Sequence, residues 1–254
     1  MRRLVLALLP LASLAACVGA PVLDTDRLVD LGHPYDADTV SWPNGPAFER
    51  AGESGEDDEG RWYATGRMGL SEHSGTHLDA PVHFAREGRA VDDLPLASLI
   101  GPVRVIDVRE ACARDRDYAV RVEDVTAHEA AEGRISPGTA VLLLTGWSKH
   151  WHDRPRYLGG EEVEALHFPG LDMEAARLLA DRRVALVGID TASIDPGASR
   201  LFGAHRVLAE AQVPCLENLR GLEVLPARGA TLIALPMLVA DGTGAPTRVV
   251  ALLP

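Results

Sequence analysis

The stretch Ser71-Glu-His-Ser-Gly-Thr-His-Leu-Asp-Ala-Pro-Val-His83 constrains this chain more than any other. Three histidines and an aspartate crowd into it, so the backbone it adopts decides whether they meet. His73 and His77 stand four apart, the spacing of a helical ligand pair, but Gly75 weakens a helix there and the Pro81 ring would collide with the His77 carbonyl. An extended course fits better. From His77 onward, His77, Asp79, Pro81 and His83 alternate with Leu78, Ala80 and Val82, so one face carries imidazole and carboxylate while the other is apolar and can bury. Ser74-Gly75 permits a tight turn that folds His73 back towards the same point. Scattered polar residues in a loop are the plain alternative, but four such groups on one face cost folding energy unless something compensates them. Two imidazoles and a carboxylate converging from one short segment suit a divalent ion with open positions, zinc first and manganese next.

The same segment resembles, residue for residue, the H-x-G-T-H-x-D-x-P-x-H signature of the metal-dependent cyclase/amidohydrolase family, through His73, Gly75, Thr76, His77, Asp79, Pro81 and His83. That family contains bacterial kynurenine formamidases and isatin hydrolases. The resemblance covers nearly the whole chain and implies an α/β protein of the swivelling β/β/α type in one domain, commonly a homodimer or larger homo-oligomer. It implies two divalent ions. His73, His77 and Asp79 would hold the first, and Asp79, His205 and Glu217 the second. His205 and Glu217, twelve apart, match the family's distal ligands, whereas alone such a pair means little. Isatin-hydrolysing members that bind one metal lose this Glu, so Glu217 favours two ions and the formamidase-like branch. Trp42 matches a pocket tryptophan in a Trp-Pro-Gly run, although Asn44 intervenes before Gly45; a plain core aromatic is its other reading.

The implied reaction is hydrolysis of a C–N bond in a small aryl formamide such as N-formylkynurenine. Water activated by the ions attacks, Trp42 stacks on the ring, and His83 acts as general base and then as the acid that protonates the leaving amine. Opening of a cyclic amide of the isatin type, or of a lactone, would keep the chemistry and change only the pocket. A reading of another class is a non-enzymatic zinc-binding lipoprotein for storage or delivery. Its ions would be saturated by protein, and it would need no substrate pocket.

Charge narrows the partners. A formal net charge of -12 disfavours nucleic acid and anionic membrane surfaces, and 5% aromatics supply no stacking platform for single strands. Residues 1–16 read as a signal peptide: Arg2 and Arg3 precede an apolar run from Leu4 to Ala16 that is short for a bilayer span. Leu14-Ala15-Ala16-Cys17 resembles a lipobox, with Cys17 the lipidated first residue, 17–21 a tether and 22–254 the hydrolase domain. The expected location is the periplasmic face of a membrane, or a soluble exported form, with Cys17 the only membrane attachment. Cys112 and Cys215 do not make a disulfide framework, and Cys215 reads as a small buried hydrophobe.

The remaining elements follow from pattern. A strand at 28–31 leads towards Trp42, and 50–60 reads as an acidic flexible loop. Strands are expected over 103–108, 139–145, 184–189, 230–236 and 248–253, with an extended piece over 213–216. Helices are expected over 122–131, 173–181 behind an Asp172 cap, and 204–211. Trp147, Trp151, His150 and His152 suggest a pocket rim without ligand spacing. The run Gly188-Ile-Asp-Thr-Ala-Ser-Ile-Asp195 resembles the family's Gly-Ile-Asp-Thr-x-Ser-x-Asp, which implies residues that support the site rather than bind metal, so Asp190 reads as a buried hydrogen-bonding residue at a strand end.

Overall fold

Residues that alternate between two apolar faces need both faces covered, and a sheet closed on itself does this economically. The computed structural model describes residues 24–254; the expected signal segment, Cys17 and the tether lie outside the described residues. In chain order the strands are β1 (Leu28–Asp30), β2 (Glu49–Glu56), β3 (Trp62–Gly69), β4 (His77–Asp79), β5 (Ile100–Asp107), β6 (Ala119–Val120), β7 (Ala140–Leu144), β8 (Gly170–Leu171), β9 (Leu186–Ile189), β10 (Cys215–Glu217), β11 (Arg228–Pro236) and β12 (Gly244–Leu252). The helices are α1 (Leu96–Leu99), α2 (Arg109–Arg114), α3 (Val122–Glu132), α4 (Arg154–Leu158), α5 (Met173–Asp181) and α6 (Gly203–Glu210).

Seven strands close a barrel-like ring in the order β12, β11, β5, β7, β9, β10 and β4, with β4 returning to β12 through Pro246↔His77 and Gly244↔Asp79. The run from β5 through β7 and β9 to β10 is parallel, and the other pairings of the ring are antiparallel. β1 pairs with the far end of β12. Period two then sorts the side chains. Ala140, Leu142 and Leu144 of β7 join Leu78, Val103, Leu186, Leu216 and Leu232 inside the ring. Val141 and Leu143 point the other way, into a second core with Ile106, Val187, Ile189 and Cys215 beneath α3, α5 and α6.

The helices bury what their spacing predicts. α5 turns Ala175, Ala176 and Leu179 inward behind the Asp172 cap, whose carboxylate accepts from the Glu174 N–H at 2.8 Å. α6 buries Ala204, His205, Leu208 and Ala209, one helical face, and so places an imidazole against the outer side of the sheet.

Three expectations need correction. Residues 50–60 are not a loop: Glu49–Glu56 pairs with Trp62–Gly69 in an exposed hairpin. Its turn is made by Asp57, whose carboxylate accepts from the Glu59 and Arg61 N–H groups, so the acidic run supplies turn chemistry as well as charge. The extended face does not reach His83, because Pro81–His83 is a 3-10 turn; Pro81 starts it with a preset φ and no N–H to satisfy. Trp147 and Trp151 do not rim the metal-site cavity, although Trp147 and His150 line a separate recess. The two tryptophans are 8% and 2% exposed and pack with Val40, Tyr157, Leu166 and Phe168 under the cavity described below.

Candidate metal centre

β4 and β10 meet antiparallel with His77 opposite Glu217 and Asp79 opposite Cys215. Because Leu78 and Leu216 fill the barrel, His77, Asp79 and Glu217 must share the outer face, where α6 delivers His205. His77 Nε2 lies 3.1 Å from Asp79 Oδ1 and 3.4 Å from Glu217 Oε2. His205 Nε2 lies 3.1 Å from both Asp79 Oδ2 and Glu217 Oε1. His73, returned by the turn at Gly75 (φ 61°), brings Nδ1 to 2.6 Å from Asp79 Oδ1. The five expected ligands therefore converge, and none of His77, Asp79, His205 and Glu217 is more than 5% exposed.

Hydrogen bonding on the far side of each imidazole decides which nitrogen faces the carboxylates. His77 Nδ1–H donates to the Gly75 carbonyl at 2.9 Å, and Asn218 Nδ2 donates to that same carbonyl at 2.8 Å. His205 Nδ1–H donates to Asp195 Oδ2 at 2.6 Å. Each ring is thereby left with a bare Nε2 aimed at carboxylate oxygens, and among the described residues the buried His77 Nε2 has no hydrogen-bond partner. Lone pairs facing lone pairs in a dry site call for a cation between them. The donors, three imidazoles and two carboxylates, fit a divalent ion of the zinc or manganese kind.

Charge makes the same case. Burial opposes charge on His77, yet Asp79 and Glu217 outweigh it and raise its pKa to about 9. Burial likewise opposes charge on His205, but Asp195, Asp79 and Glu217 raise its pKa well above the usual value. Burial works against the Asp79 carboxylate as well, while His77, His205 and His73 hold its pKa well below the ordinary range. Without an ion, protons on the imidazoles must balance the acids. A dication does so instead and releases them.

His83 occupies a different position. Its ring stacks on His73 with centroids 3.9 Å apart, and its outer edge is exposed. Desolvation between His73 and Phe84, opposed by Asp79 and aided by the neighbouring imidazoles, lowers its pKa to about 4, so it is a neutral base near pH 7. Proximity also groups the donors differently from the expected division. His73, Asp79 and His83 form one cluster and His77, Asp79 and Glu217 another, with Asp79 common to both.

The centre floors a cavity of about 370 Å³ whose walls include Trp42, Phe84 and Phe202. Phe202 closes against both other rings, with centroids 6.3 Å from Trp42 and 5.4 Å from Phe84. Among the described residues, none that lines the cavity is Arg or Lys. Asp190, as expected, is buried and accepts from Thr145 and from the Gly146 and Trp147 N–H groups, which shapes the end of β7. His150 and His152 do not reach the centre; His152 pairs with Asp38 at 3.0 Å.

Asn218, Phe84 and Phe202 escaped the sequence reading. Asp195 did carry a signal, as the last acid of the 188–195 run whose resemblance implies support of the site; in the loop that opens the helix of a ligand histidine, its carboxylate also accepts from the Ala204 and His205 N–H groups. Phe202 carried none; it sits at φ 50°, a conformation few aromatic residues adopt.

Barrel and ligand cluster together define a mixed α/β protein built around a divalent-metal site. The Cyclase family model matches residues 29–196, and the chain belongs to that family. It is 35% identical over 206 residues to the isatin hydrolase of Roseibium aggregatum, covering 78% of each chain. It is 31% identical over 223 residues to the kynurenine formamidase of Salinibacter ruber, covering 88% of this chain and 96% of that one. Among solved structures, an isatin hydrolase bound to the product analogue thioisatinate superimposes with a TM-score of 0.83 at 33% identity, over 89% of this chain and 92% of that one. Isatin hydrolase A from Ralstonia solanacearum gives 0.83 at 30% identity, over 90% and 92%. These relatives are hydrolases.

Proposed function

We propose that the chain hydrolyses the C–N bond of an uncharged, flat aromatic amide, a cyclic amide of the isatin type first among them. The observation that carries this reading is the cavity: three aromatic walls, a floor of metal-ligand residues and, among the described residues, no Arg or Lys to receive a substrate carboxylate. A free amino acid would enter with its carboxylate unpaired in an apolar site, which is costly. The likeness to isatin hydrolases supports the same choice.

His73, His77, Asp79, His205 and Glu217 would hold the metal. When bound, it lowers the pKa of a water and polarises the amide carbonyl. The chain's own residues do the rest. Trp42, Phe84 and Phe202 hold the substrate ring and exclude water. His83, neutral and open towards the cavity, takes the proton from the attacking water and returns it to the leaving nitrogen.

Aryl formamides are a second reading, favoured by Glu217, which completes a second set of ligands, and by the likeness to kynurenine formamidases. Storage of zinc fits less well, because a storage site needs no aromatic cavity above its ligands. The test is a hydrolysis screen of isatin-type amides, aryl formamides with and without a free carboxylate, and lactones, on protein reloaded with zinc or manganese and with a chelator as control. Turnover of neutral amides, abolished by the chelator, is expected. Preference for the carboxylate-bearing formamide would overturn the neutral-substrate reading, and no turnover of any amide would overturn the enzyme.

A further inference from the structure

His73 is held unlike the other two imidazoles. His77 and His205 anchor Nδ1 and present Nε2; His73 presents Nδ1 to Asp79 and turns Nε2 away, to 2.9 Å from Thr243 Oγ1. Thr243 lies on the segment before β12, and its hydroxyl is 2.5 Å from Glu72 Oε2. The same carboxylate oxygen accepts the Thr243 N–H at 3.0 Å. A carboxylate only accepts, so the hydroxyl donates its hydrogen bond to Glu72 and accepts one from His73 Nε2–H. Nδ1 is then bare.

The alternative state is close at hand. With the proton on Nδ1, His73 would donate to Asp79 at 2.6 Å, a charge-assisted hydrogen bond that competes with any ion for both residues. Room for the ring comes from Gly244. A Cβ there would stand 2.5 Å from His73 Cε1 and 2.8 Å from the Leu78 carbonyl oxygen, which is backbone and cannot give way.

We infer that Thr243, backed by Glu72 and given space by Gly244, is a positioning residue that selects the His73 tautomer able to bind a divalent cation and disfavours the Asp79 hydrogen bond that would exclude one. This rests on the metal-centre reading above. Nε2–H anchored to a hydroxyl–carboxylate pair also makes Nδ1 a better donor, the usual effect of such outer partners on ligand histidines.

The experiment is titration of the metal-free full chain with Co²⁺ against a chromogenic chelator, with the visible spectrum of bound Co²⁺ recorded in parallel. Thr243→Val is expected to weaken binding by roughly 10–100-fold and to change the spectrum. Thr243→Ser should restore both, Glu72→Gln should weaken binding by a smaller factor, and Gly244→Ala should resemble Thr243→Val. If wild type holds no Co²⁺ against the chelator, the metal centre itself falls, and this inference with it. If wild type holds Co²⁺ and Thr243→Val binds equally with the same spectrum, the positioning role is overturned while the centre stands. Thr243→Ser binding as weakly as Thr243→Val would overturn it too, since packing and not the hydroxyl would then matter. Should Thr243→Val fail to fold, Glu72→Gln with wild-type affinity and spectrum overturns it instead.

Discussion

His77 and His83 stand six residues apart beside the same Asp79 carboxylate, yet they are built for different work. His77 is sealed, anchored through Nδ1 and left with a bare Nε2; His83 lies on a turn with an open edge. His77→Ala should therefore lose metal and turnover together. His83→Ala should keep its metal and lose roughly 10²–10⁴-fold in turnover, with an activated ester, whose leaving group needs little protonation, suffering less than an amide. Metal content measured beside both rates decides it: metal loss in His83→Ala equal to that in His77→Ala would make His83 a ligand. Asp195 makes a third case. Asp195→Asn still accepts at the start of α6 but can no longer hold the His205 Nδ1–H as an ion-paired acceptor does. Metal affinity should fall roughly 10–100-fold with about 1 kcal/mol or less of folding stability lost. Chelator competition and thermal melts of the metal-free variant separate the two effects, and unchanged affinity would refute the orienting role.

At the scale of elements, the hairpin of β2 and β3 shows how local composition misleads. Gly52, Ser54 and Gly55 look like loop residues, and the run of acids looks like a solvated tail. Cross-strand pairing from Glu49↔Gly69 to Glu56↔Trp62 overrides both. Of the acidic run, the Asp57 carboxylate shapes the turn, while the strands are set by the pairing. Elsewhere, helices are clasped by specific pairs. Glu129 on α3 receives both Arg182 nitrogens, at 2.8 and 2.9 Å, just after α5. The Arg182 hydrogen bonds, helped by the Ile135 N–H and against burial, lower the Glu129 pKa below its ordinary 4.5. A depressed acid stabilises the fold fully above the unfolded value and loses that contribution as pH falls through the folded one. Glu129→Gln is thus expected to cost about 1 kcal/mol at pH 7 and markedly less near pH 3. Denaturant melts at both pH values check this, and an equal loss at both would assign the effect to packing.

For the whole molecule, a dication should behave as part of the fold, because it neutralises carboxylates buried between sheet and α6. Metal at 100 times its Kd contributes about 2.7 kcal/mol, which for a chain of this size is roughly 5–10 °C in Tm. Calorimetry with zinc, manganese and chelator measures it; a Tm indifferent to all three would remove the ion from the folded state. Lipid anchoring remains a proposal resting on Leu14-Ala15-Ala16-Cys17 alone. Cys17→Ser should move the protein from the membrane pellet to the supernatant with hydrolysis intact, and a variant that still pellets would discard the anchor.

Sequence alone determined the ligand types, their period-two placement over His77 to Asp79, the buried strands, and the helix that carries His205. These are local matters of periodicity, propensity and capping. Ring closure was beyond it, because β4 and β10 meet across more than half the chain, and no local pattern records that register. Only that register puts Glu217 opposite His77. Only the packing of the loop before α6 and of the segment before β12 shows which acids and hydroxyls hold His205 and His73. Asp195, Thr243 and Glu72 act through hydrogen bonds at distances set by the whole fold. In sequence Thr243 and Glu72 are two more polar residues in loops, and Asp195 only one member of a supporting run; in the folded chain each decides where a proton sits.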